Sequence, residues 1–575
     1  MPTVEKSINA VVTGVYPNKV QIEIVDIESF KVAGEKLSVG AFLRISDSDD
    51  CAIIAVIQNF CIQKTEETAE RRYVVEGVPI GFLDPDGKFS RGGNNIAIPP
   101  VGVAPASRAE IQKIFSRIDQ TKAFDFSCLV QDDAIRVPVD GDRFFSKHIA
   151  IVGSTGCGKS CSVASLLQKA IEARKTGFKG LNNSHIVIFD LHGEYRAAFP
   201  NANCLDVSNL QLPYWLMNGE ELEELLVESG ENQAYNQSSL LRRLVTRNKQ
   251  KHNLSGKVLF DSPVKFSLPE VLNCVVNLSR ETRDYKNPAR FLIKGDPKEF
   301  SSDEARFDHY FAQEYDFEEP KSQSVSKGTY NDGTLEKFIS RIRWKIGDER
   351  LQFLVGFAAS QRTFEETIRQ ILGYRKGSEA NITVVDLSGI PFEVLSISVS
   401  LMSRLLFDYG YYYKREVQAD APRTPLLLVY EEAHKYVPKL QGAKYSASRM
   451  AIERIAKEGR KYAVTLALVT QRPSEISETI FSQCNNFLSM RLTNPEDQTY
   501  VKRLLPDTLG PLTDALPTLE SGEAIIIGDA VSMPSLVRID RTSPEPSSGD
   551  IAYLQEWKRE WYALEFSLII KRWEL

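Results

Sequence analysis

Residues 148–160 read HIAIVGSTGCGKS, and this stretch decides the fold. A short apolar run feeds a loop that matches GxxxxGK[ST] in full at 153–160. The residues after it, SCSVASLLQKAIEA, carry a helical pattern. Strand, glycine loop and helix in that order are the context that makes this motif a phosphate-binding loop. Gly153, Gly156 and Gly158 let backbone N–H groups close round phosphates, and the helix N-terminus adds a favourable dipole. The candidate nucleotide cradle is therefore Gly153, Ser154, Thr155, Gly156, Cys157, Gly158, Lys159, Ser160 and Cys161. Lys159 is expected to reach the β- and γ-phosphates of ATP, and Ser160 to ligate Mg2+. Cys157 and Cys161 read as small fillers, with a redox or metal role as the alternative.

Outward from the loop, the same texture recurs. The runs HIVIFD (185–190), ITVVDL (382–387), LLLVYE (426–431), AVTLALV (463–469) and NFLSMRL (486–492) are apolar with little alternation. Strands buried on both faces of a mostly parallel sheet read this way, and the helical patterns between several of them predict a wound α/β core. Ligands of such sheets gather at the C-terminal ends of the strands. Asp190 ends one strand, as a candidate for the magnesium shell or for orienting water; the alternative is a carboxylate that caps the HGEY turn. Glu194, in the same loop, is a weaker candidate. Glu431 and Glu432 end another strand. Phosphoryl transfer needs a positioned water, magnesium and charge neutralisation more than covalent help. Glu432 is assigned to activate the water and Glu431 to support the metal. His434 reads as a local hydrogen-bonding residue. Gln471, at a further strand end, is placed to sense the γ-phosphate or orient water. Arg460, near the end of the helical stretch from 447, is a candidate arginine finger for a neighbouring subunit; the alternative is a solvated helix end that complements the dipole.

The 575 residues are too many for one core, so two to four domains are expected. A net charge of −6 argues against a generally basic nucleic-acid coat but leaves room for a local basic channel. The eight cysteines form no CxxC pair, which points to reduced thiols. There is no signal-peptide layout and no apolar run near the ~20 residues a membrane helix needs, so a soluble, cytoplasmic protein without membrane association is expected. Residues 1–110 read as a small β domain, with the alternating KVQIEIVDI and turns at YPN, DPDG and RGGNN. Residues 140–206 and 376–544 are the two parts of the α/β core. Residues 207–375 form a charged, mostly helical insertion that accounts for the long interval between the loop and the glutamate pair. The tail from 545 holds three of the five tryptophans. It reads either as an amphipathic helix packed on the core or as a docking arm.

Taken together, IVGSTGCGKS, FDLHGEY, LPYWLMNGEEL, VVDLSGIPFEV, VYEEAHKYVP and EGRKYAVTLALVTQRPSEI resemble the HerA family of hexameric DNA-translocating ATPases, within the FtsK–HerA group of RecA-like P-loop enzymes. The resemblance spans about 140–540, and within it a paired glutamate is the ordinary form. It implies a RecA-like core, an N-terminal HAS barrel and a helical subdomain. It implies ATP hydrolysis by Lys159, Asp190, Glu432 and Gln471, with Arg460 acting in trans. Lys147 and Arg538 are further basic nucleotide contacts carried over from the family pattern. The implied partners are copies of the chain itself in a homohexamer, double-stranded DNA, and an effector that is a nuclease or a sirtuin-like NADase, as in DNA end processing or anti-phage defence. A second reading is an ATP-dependent scaffold that assembles and controls an effector; a third and weaker one is a small-molecule enzyme that shares the P-loop. KLQGAKYSASR (439–449) is the best pore-loop candidate, with a surface loop as the alternative.

Overall fold

The computed structural model describes residues 9–573, apart from 17–18, 27–38, 49–50, 65–70, 85, 87, 92–101, 176, 229, 231–233, 254–256, 375–376, 418–422, 440–445, 505–509, 550 and 564. Its centre is a ten-stranded sheet. In chain order the strands are β8 (Ser127–Leu129), β9 (His148–Val152), β10 (His185–Asp190), β11 (Asn203–Leu205), β12 (Ile382–Asp386), β13 (Leu426–Tyr430), β14 (Val464–Thr470), β15 (Cys484–Ser489), β16 (Glu523–Gly528) and β17 (Ser535–Ile539). Across the sheet they lie in the order β11-β12-β10-β13-β14-β9-β15-β16-β17-β8. The seven from β11 to β15 are parallel, and the last three pair antiparallel. The five apolar runs downstream of the loop all became strands. The run at 486–492 ends early, at Ser489, so Arg491 leaves the ladder.

Register does the positioning. Val152 pairs with Thr470, Phe189 with Tyr430, and Asp190 with Asp386. The C-terminal ends of β9, β10, β12, β13 and β14 therefore share one edge, although about 270 residues separate the loop from the glutamates. The pleat sends successive side chains to opposite faces. Ala150, Val152, Val187, Phe189, Leu428 and Leu468 join the core on one face. Ile149, Ile151, Ile188, Val429 and Val469 join the core on the other, which α1 (Lys159–Glu172) covers with Val163, Ala164, Leu166 and Leu167. Both faces are dry, which explains runs without alternation.

Between β11 and β12 lies the insertion. Its main helices are α2 (Gly219–Leu226), α3 (Ala234–His252), α4 (Leu268–Arg280) and α5 (Glu336–Gly347). Asn218 and Glu221 form a reciprocal capping box that starts α2. The insertion also holds a four-stranded antiparallel sheet, which the helical reading of the sequence did not anticipate. Its strands are two or three residues long, too short to show a period. Leu244, Tyr310 and Phe338 lie in the same core cluster as Phe189 and Leu428, so the insertion packs onto the sheet with α6 (Phe392–Glu416) rather than standing apart. α7 (Ser446–Glu458) packs beside α6.

The N-terminal region is a seven-stranded antiparallel sheet, β1 (Ala10–Val15), β2 (Val20–Ile24), β3 (Phe42–Ser48), β4 (Cys51–Lys64), β5 (Arg71–Leu83), β6 (Phe89–Arg91) and β7 (Gly102–Pro105), a curled half-barrel with its own small core of Val20, Ile22, Leu43, Ile45, Ala55 and Val75. Phe42, Ile54, Val56, Leu83 and Phe89 pack instead into the cluster beneath α1. At the other end of the chain, residues 541–549 cross α1: Gln168 bonds Thr542, Ser543 and Pro544. Beyond them the described residues of the tail are exposed rather than packed on the core. It carries two short helices, Tyr553–Trp557 and Ser567–Trp573, and Trp557 and Trp561 are 76% and 96% exposed. Among the described tail residues the large apolar side chains lie exposed, unlike those of a helix packed on the core. Among the described residues no helix is long and apolar enough to cross a membrane.

Phe338 is fully buried where the insertion meets the core. Phe338→Ala is expected to lower stability by about 3–5 kcal/mol, read as a shift of the urea midpoint followed by intrinsic tryptophan fluorescence. A midpoint within error of wild type would show that the insertion does not share the core.

Candidate functional site

The loop after β9 is held from both sides. Gly153 N–H donates to Thr470 O at 3.2 Å, and Ser154 N–H to Arg491 O at 2.7 Å. Ser154 Oγ accepts from Thr493 N–H at 3.0 Å. Two of its glycines take left-handed backbone, Gly156 at φ +74° and Gly158 at φ +88°. A Cβ on Gly158 would come within 3.1 Å of Ser521 Oγ, while Gly156 faces open space. The loop is therefore packed behind and open in front, as a cradle must be. Lys159, at the start of α1, donates to its own loop carbonyl, Ser154 O, at 3.1 Å. Ser160 follows it in the first turn. Burial pushes both the Cys157 and Cys161 thiols above the ordinary range, so both are neutral fillers rather than reactive thiolates.

The same edge carries the carboxylates. Glu431 is 4% exposed and its Oε2 is buried without a hydrogen-bond partner. Burial, reinforced by the charges of Asp190 and Glu194, pushes Glu431 from 4.5 up to about 9. Glu432 behaves oppositely. Burial alone would raise it, but His434 Nδ1 at 3.2 Å, the Lys159 charge and the Gln471 N–H outweigh that, and its value is lowered. His434 Nδ1 also lies 3.1 Å from Thr470 Oγ1, which holds the ring at the strand end. Glu432 adopts φ 48°, ψ 48°. A non-glycine residue in this region costs roughly 1 kcal/mol or more and is found where surrounding structure enforces it, often at functional sites. The strain aims one member of the pair away from its neighbour, so adjacent acids meet different environments and take different charges.

Gln471 joins the two halves: its Oε1 accepts from Thr155 Oγ1 at 2.5 Å, and its backbone N–H serves Glu432. Asp190 makes the contacts of its turn-cap reading. Its Oδ1 accepts from His192 and Gly193 N–H, and its Oδ2 from Tyr195 N–H at 2.9 Å. It caps the HGEY turn and, beside Glu431, holds that carboxyl neutral. Burial raises Asp190 as well, against the backbone N–H groups that lower it.

Other candidates land elsewhere. Arg460 and Lys147 sit at the strand starts, the edge opposite the loop. Arg460 donates to Asn485 Oδ1 at 3.2 Å, and Lys147 pairs with Asp529. A whole strand length lies between each of them and the loop of its own chain. Arg538 is nearer. Its strand pairs with β16, which begins just after Gly522, and Gly522 N–H donates to Cys157 O at 3.1 Å. Its guanidinium, however, is held by Asp133 at 3.0 Å and Glu523 at 3.1 Å. Arg491 is the cationic group that sequence reasoning missed: its Nη2 lies 3.5 Å from Gly156 O at the open side of the loop. An arginine interrupting an apolar run was the available signal. Of the pore-loop candidate, residues 440–445 lie outside the described residues, and the flanking Lys439 and Arg449 are paired with Glu478 and Glu453.

The arrangement fits a magnesium nucleotide. Magnesium keeps several waters and takes one or two protein oxygens plus phosphates. Ser160 and Glu431 would hold it, and the orphaned, buried Glu431 Oε2 is an oxygen that a cation satisfies. Among the described residues there is no ready-made cluster of three or more metal-ligating side chains.

Residues 124–406 match the family model described as the central domain of helicase HerA. The chain is similar to the DNA double-strand break repair helicase HerA of Sulfolobus acidocaldarius, 27% identical over 481 residues that cover 82% of this chain and 79% of that one. A probable HerA of Methanocaldococcus jannaschii is 26% identical over 543 residues, covering 91% and 95%. Among solved structures, VirB4 of Thermoanaerobacter pseudethanolicus aligns over 74% of this chain and 98% of its own, at 13% identity and a TM-score of 0.45.

The proton on Glu431 has a thermodynamic signature. Between the ordinary glutamate value, 4.5, and about 9 the folded chain holds a proton that the unfolded chain has released. Its contribution to stability is complete below 4.5 and is lost as pH rises through 9. Nucleotide-free, metal-free protein is expected to lose stability across that window, by up to about 1.4 kcal/mol per pH unit for one proton. Glu431→Gln should flatten the decline in thermal melts; an unchanged slope would show that Glu431 is ionised in the free chain.

Proposed function

The chain belongs to the HerA helicase family and is an ATPase, and from that premise we propose that it is a homohexameric motor that moves double-stranded DNA through a central pore. The core is read as RecA-like and the N-terminal half-barrel as a HAS-type collar. The observation that carries the reading is the position of Arg460, on the strand-start edge of its own sheet. The loop, Glu432, Gln471 and Arg491 meet at the other edge, so a copy beside this one can supply a second arginine, Arg460, to the site. In a ring each interface then holds one ATP between a phosphate cradle and a neighbour's finger.

Within the site, Glu432 is ionised and so can take the proton of an attacking water. Gln471, anchored on Thr155, orients that water or reports the γ-phosphate. Lys159 exchanges Ser154 O for phosphate oxygens when ATP enters. Arg491, beside Gly156, adds positive charge on the open side, and Asp190 acts as a positioning residue through the HGEY turn and Glu431. Ser160 and Glu431 would hold magnesium, which would supply charge neutralisation of the phosphates. Arg460 from the neighbouring copy stabilises the charge that develops as the γ-phosphoryl departs, an effect worth about 10³–10⁵ in rate in related chemistry.

A partner is part of the proposal. The exposed tail, with Tyr553, Leu554, Trp557, Trp561 and Phe566 all more than half exposed, favours a docking role, and it supports the second reading, in which ATP controls assembly of an effector such as a nuclease or a sirtuin-like NADase. A role in DNA end processing or anti-phage defence follows from either reading, and a cytoplasmic location is proposed with it.

Glu432→Gln is expected to keep ATP binding and oligomer size while turnover falls by about 10²–10⁴, measured by phosphate release and light scattering. Lys159→Ala should lose nucleotide binding as well. Turnover within a few-fold of wild type in Glu432→Gln would remove the glutamate from the chemistry. An effector fully activated by assembled, ATPase-dead protein would favour the scaffold over the motor.

A further inference from the structure

The edge opposite the phosphate loop is chemically unlike it. Along the strand starts from β12 to β14 lies a row of tyrosines. Tyr374 stacks on His185 at 5.6 Å, with its hydroxyl 2.5 Å from Nε2. Tyr409 and Tyr413 follow at the end of α6, their rings 5.8 Å apart. Tyr462 comes next, at the turn into β14, with Lys414 Nζ 5.4 Å from its ring centre. Neighbouring strands are about 4.8 Å apart, so the row extends on the order of 15 Å.

One cleft in this row is lined by Tyr409, Tyr413, Tyr462, Lys414, Arg423 and Lys461. Lys414 Nζ donates to Lys461 O at 2.8 Å. Among the described residues none of these three cations is in an ion pair with a carboxylate. Elsewhere the chain pairs its basic groups freely, as Arg242 with Glu223 and Arg247 with Asp308. Three unpaired cations around one cleft in a chain of net charge −6 are therefore not an average of composition.

The floor of the cleft is a constrained backbone. A Cβ on Gly410 would come within 2.8 Å of Tyr462 O and of Val464 Cγ2, so only glycine lets α6 approach the turn this closely. Ala463 sits at φ +59°, a left-handed conformation unfavourable for alanine. It is held there by Leu426 N–H donating to its carbonyl at 2.8 Å. Arg460 turns away from this cleft, to Asn485 on the β15 side, while Lys461 and Tyr462 face α6 on the β13 side. The cleft is thus separate from the finger assigned to the neighbouring ATP.

We propose that this edge is a track for a single strand of nucleic acid. Phosphates sit against Lys414, Arg423 and Lys461, and unstacked bases lie on the tyrosine row. A positive groove with aromatic platforms is the means by which proteins hold single strands without reading sequence. An acidic peptide would use the cations but leave the ring faces idle, which is why the tyrosines favour bases. The proposal rests on the reading of the chain as a nucleic-acid motor and adds to it a site for the unpaired end of a duplex.

The test is fluorescence anisotropy of a labelled oligothymidylate of about 16 nucleotides with the full chain, titrated against salt. Lys414→Glu/Arg423→Glu is expected to weaken binding and to make the slope of log affinity against log salt less negative by about 1.4, from 0.7 per phosphate contact. Tyr413→Ala is expected to weaken binding about tenfold with the slope unchanged. Both variants keep the ATPase activity seen without DNA. Wild-type binding in both variants overturns the proposal. So does a loss that is equal for polyglutamate and oligothymidylate and absent in Tyr413→Ala, which would assign the cleft to an acidic protein partner. Duplex-stimulated turnover is read in parallel on the unmutated chain. Its absence would sink the motor reading, whereas unchanged single-strand binding in the variants sinks only this one.

Discussion

Parallel pairing of β9 with β14 and of β10 with β13 is the constraint on which everything else depends. Because these strands run the same way in matched register, Gly153, Glu431 and Gln471 all emerge at one edge. Burial on both faces fixes that register: a slip of one residue would exchange the two cores, sending Ile149 and Ile151 where Ala150 and Val152 belong. The long insertion is tolerated because it leaves after β11 and returns at β12, neighbours in the sheet, and buries its own apolar faces against the same core. Distance in sequence between loop and glutamates thus has no counterpart in space.

Electrostatics then divides labour along the sheet. At the strand ends, burial brings Asp190, Glu194 and Glu431 close enough for their charges to act on one another, and Glu431 is pushed up to about 9. The backbone strain at Glu432 turns its carboxylate towards His434 and Lys159, keeping it ionised beside a neutral neighbour. At the strand starts the charge is reversed, with Lys147, Arg460, Lys461, Lys414 and Arg423.

Much of this was legible in the sequence. The loop, its flanking strand and helix, and the glutamate pair were readable because each rests on local pattern: consecutive apolar residues, glycines at fixed offsets, acids at a strand end. The insertion was readable as an interruption of that texture. What escaped depended on contacts across the chain. Asp190 could be a metal ligand or a turn cap from its neighbours alone, and the three backbone donors of the cap come into view only in the fold. Arg491 looked like part of a strand until β15 stopped at Ser489. Lys147 precedes the loop in sequence by a few residues, yet a strand carries it to the far edge. The tail was ambiguous for a different reason, since an amphipathic segment does not name the surface that covers it. The cis or trans use of Arg460 belongs to the same class, because one chain cannot display its neighbour.

The proposed mechanism turns on a site shared between two copies. Its most direct measurement is the ATPase activity of mixed assemblies of Lys159→Ala and Arg460→Ala, each inactive alone. Co-assembled chains are predicted to regain turnover, because an intact loop on one copy meets an intact arginine on the next. Activity in Arg460→Ala alone, or no recovery from mixtures that demonstrably co-assemble, would contradict it.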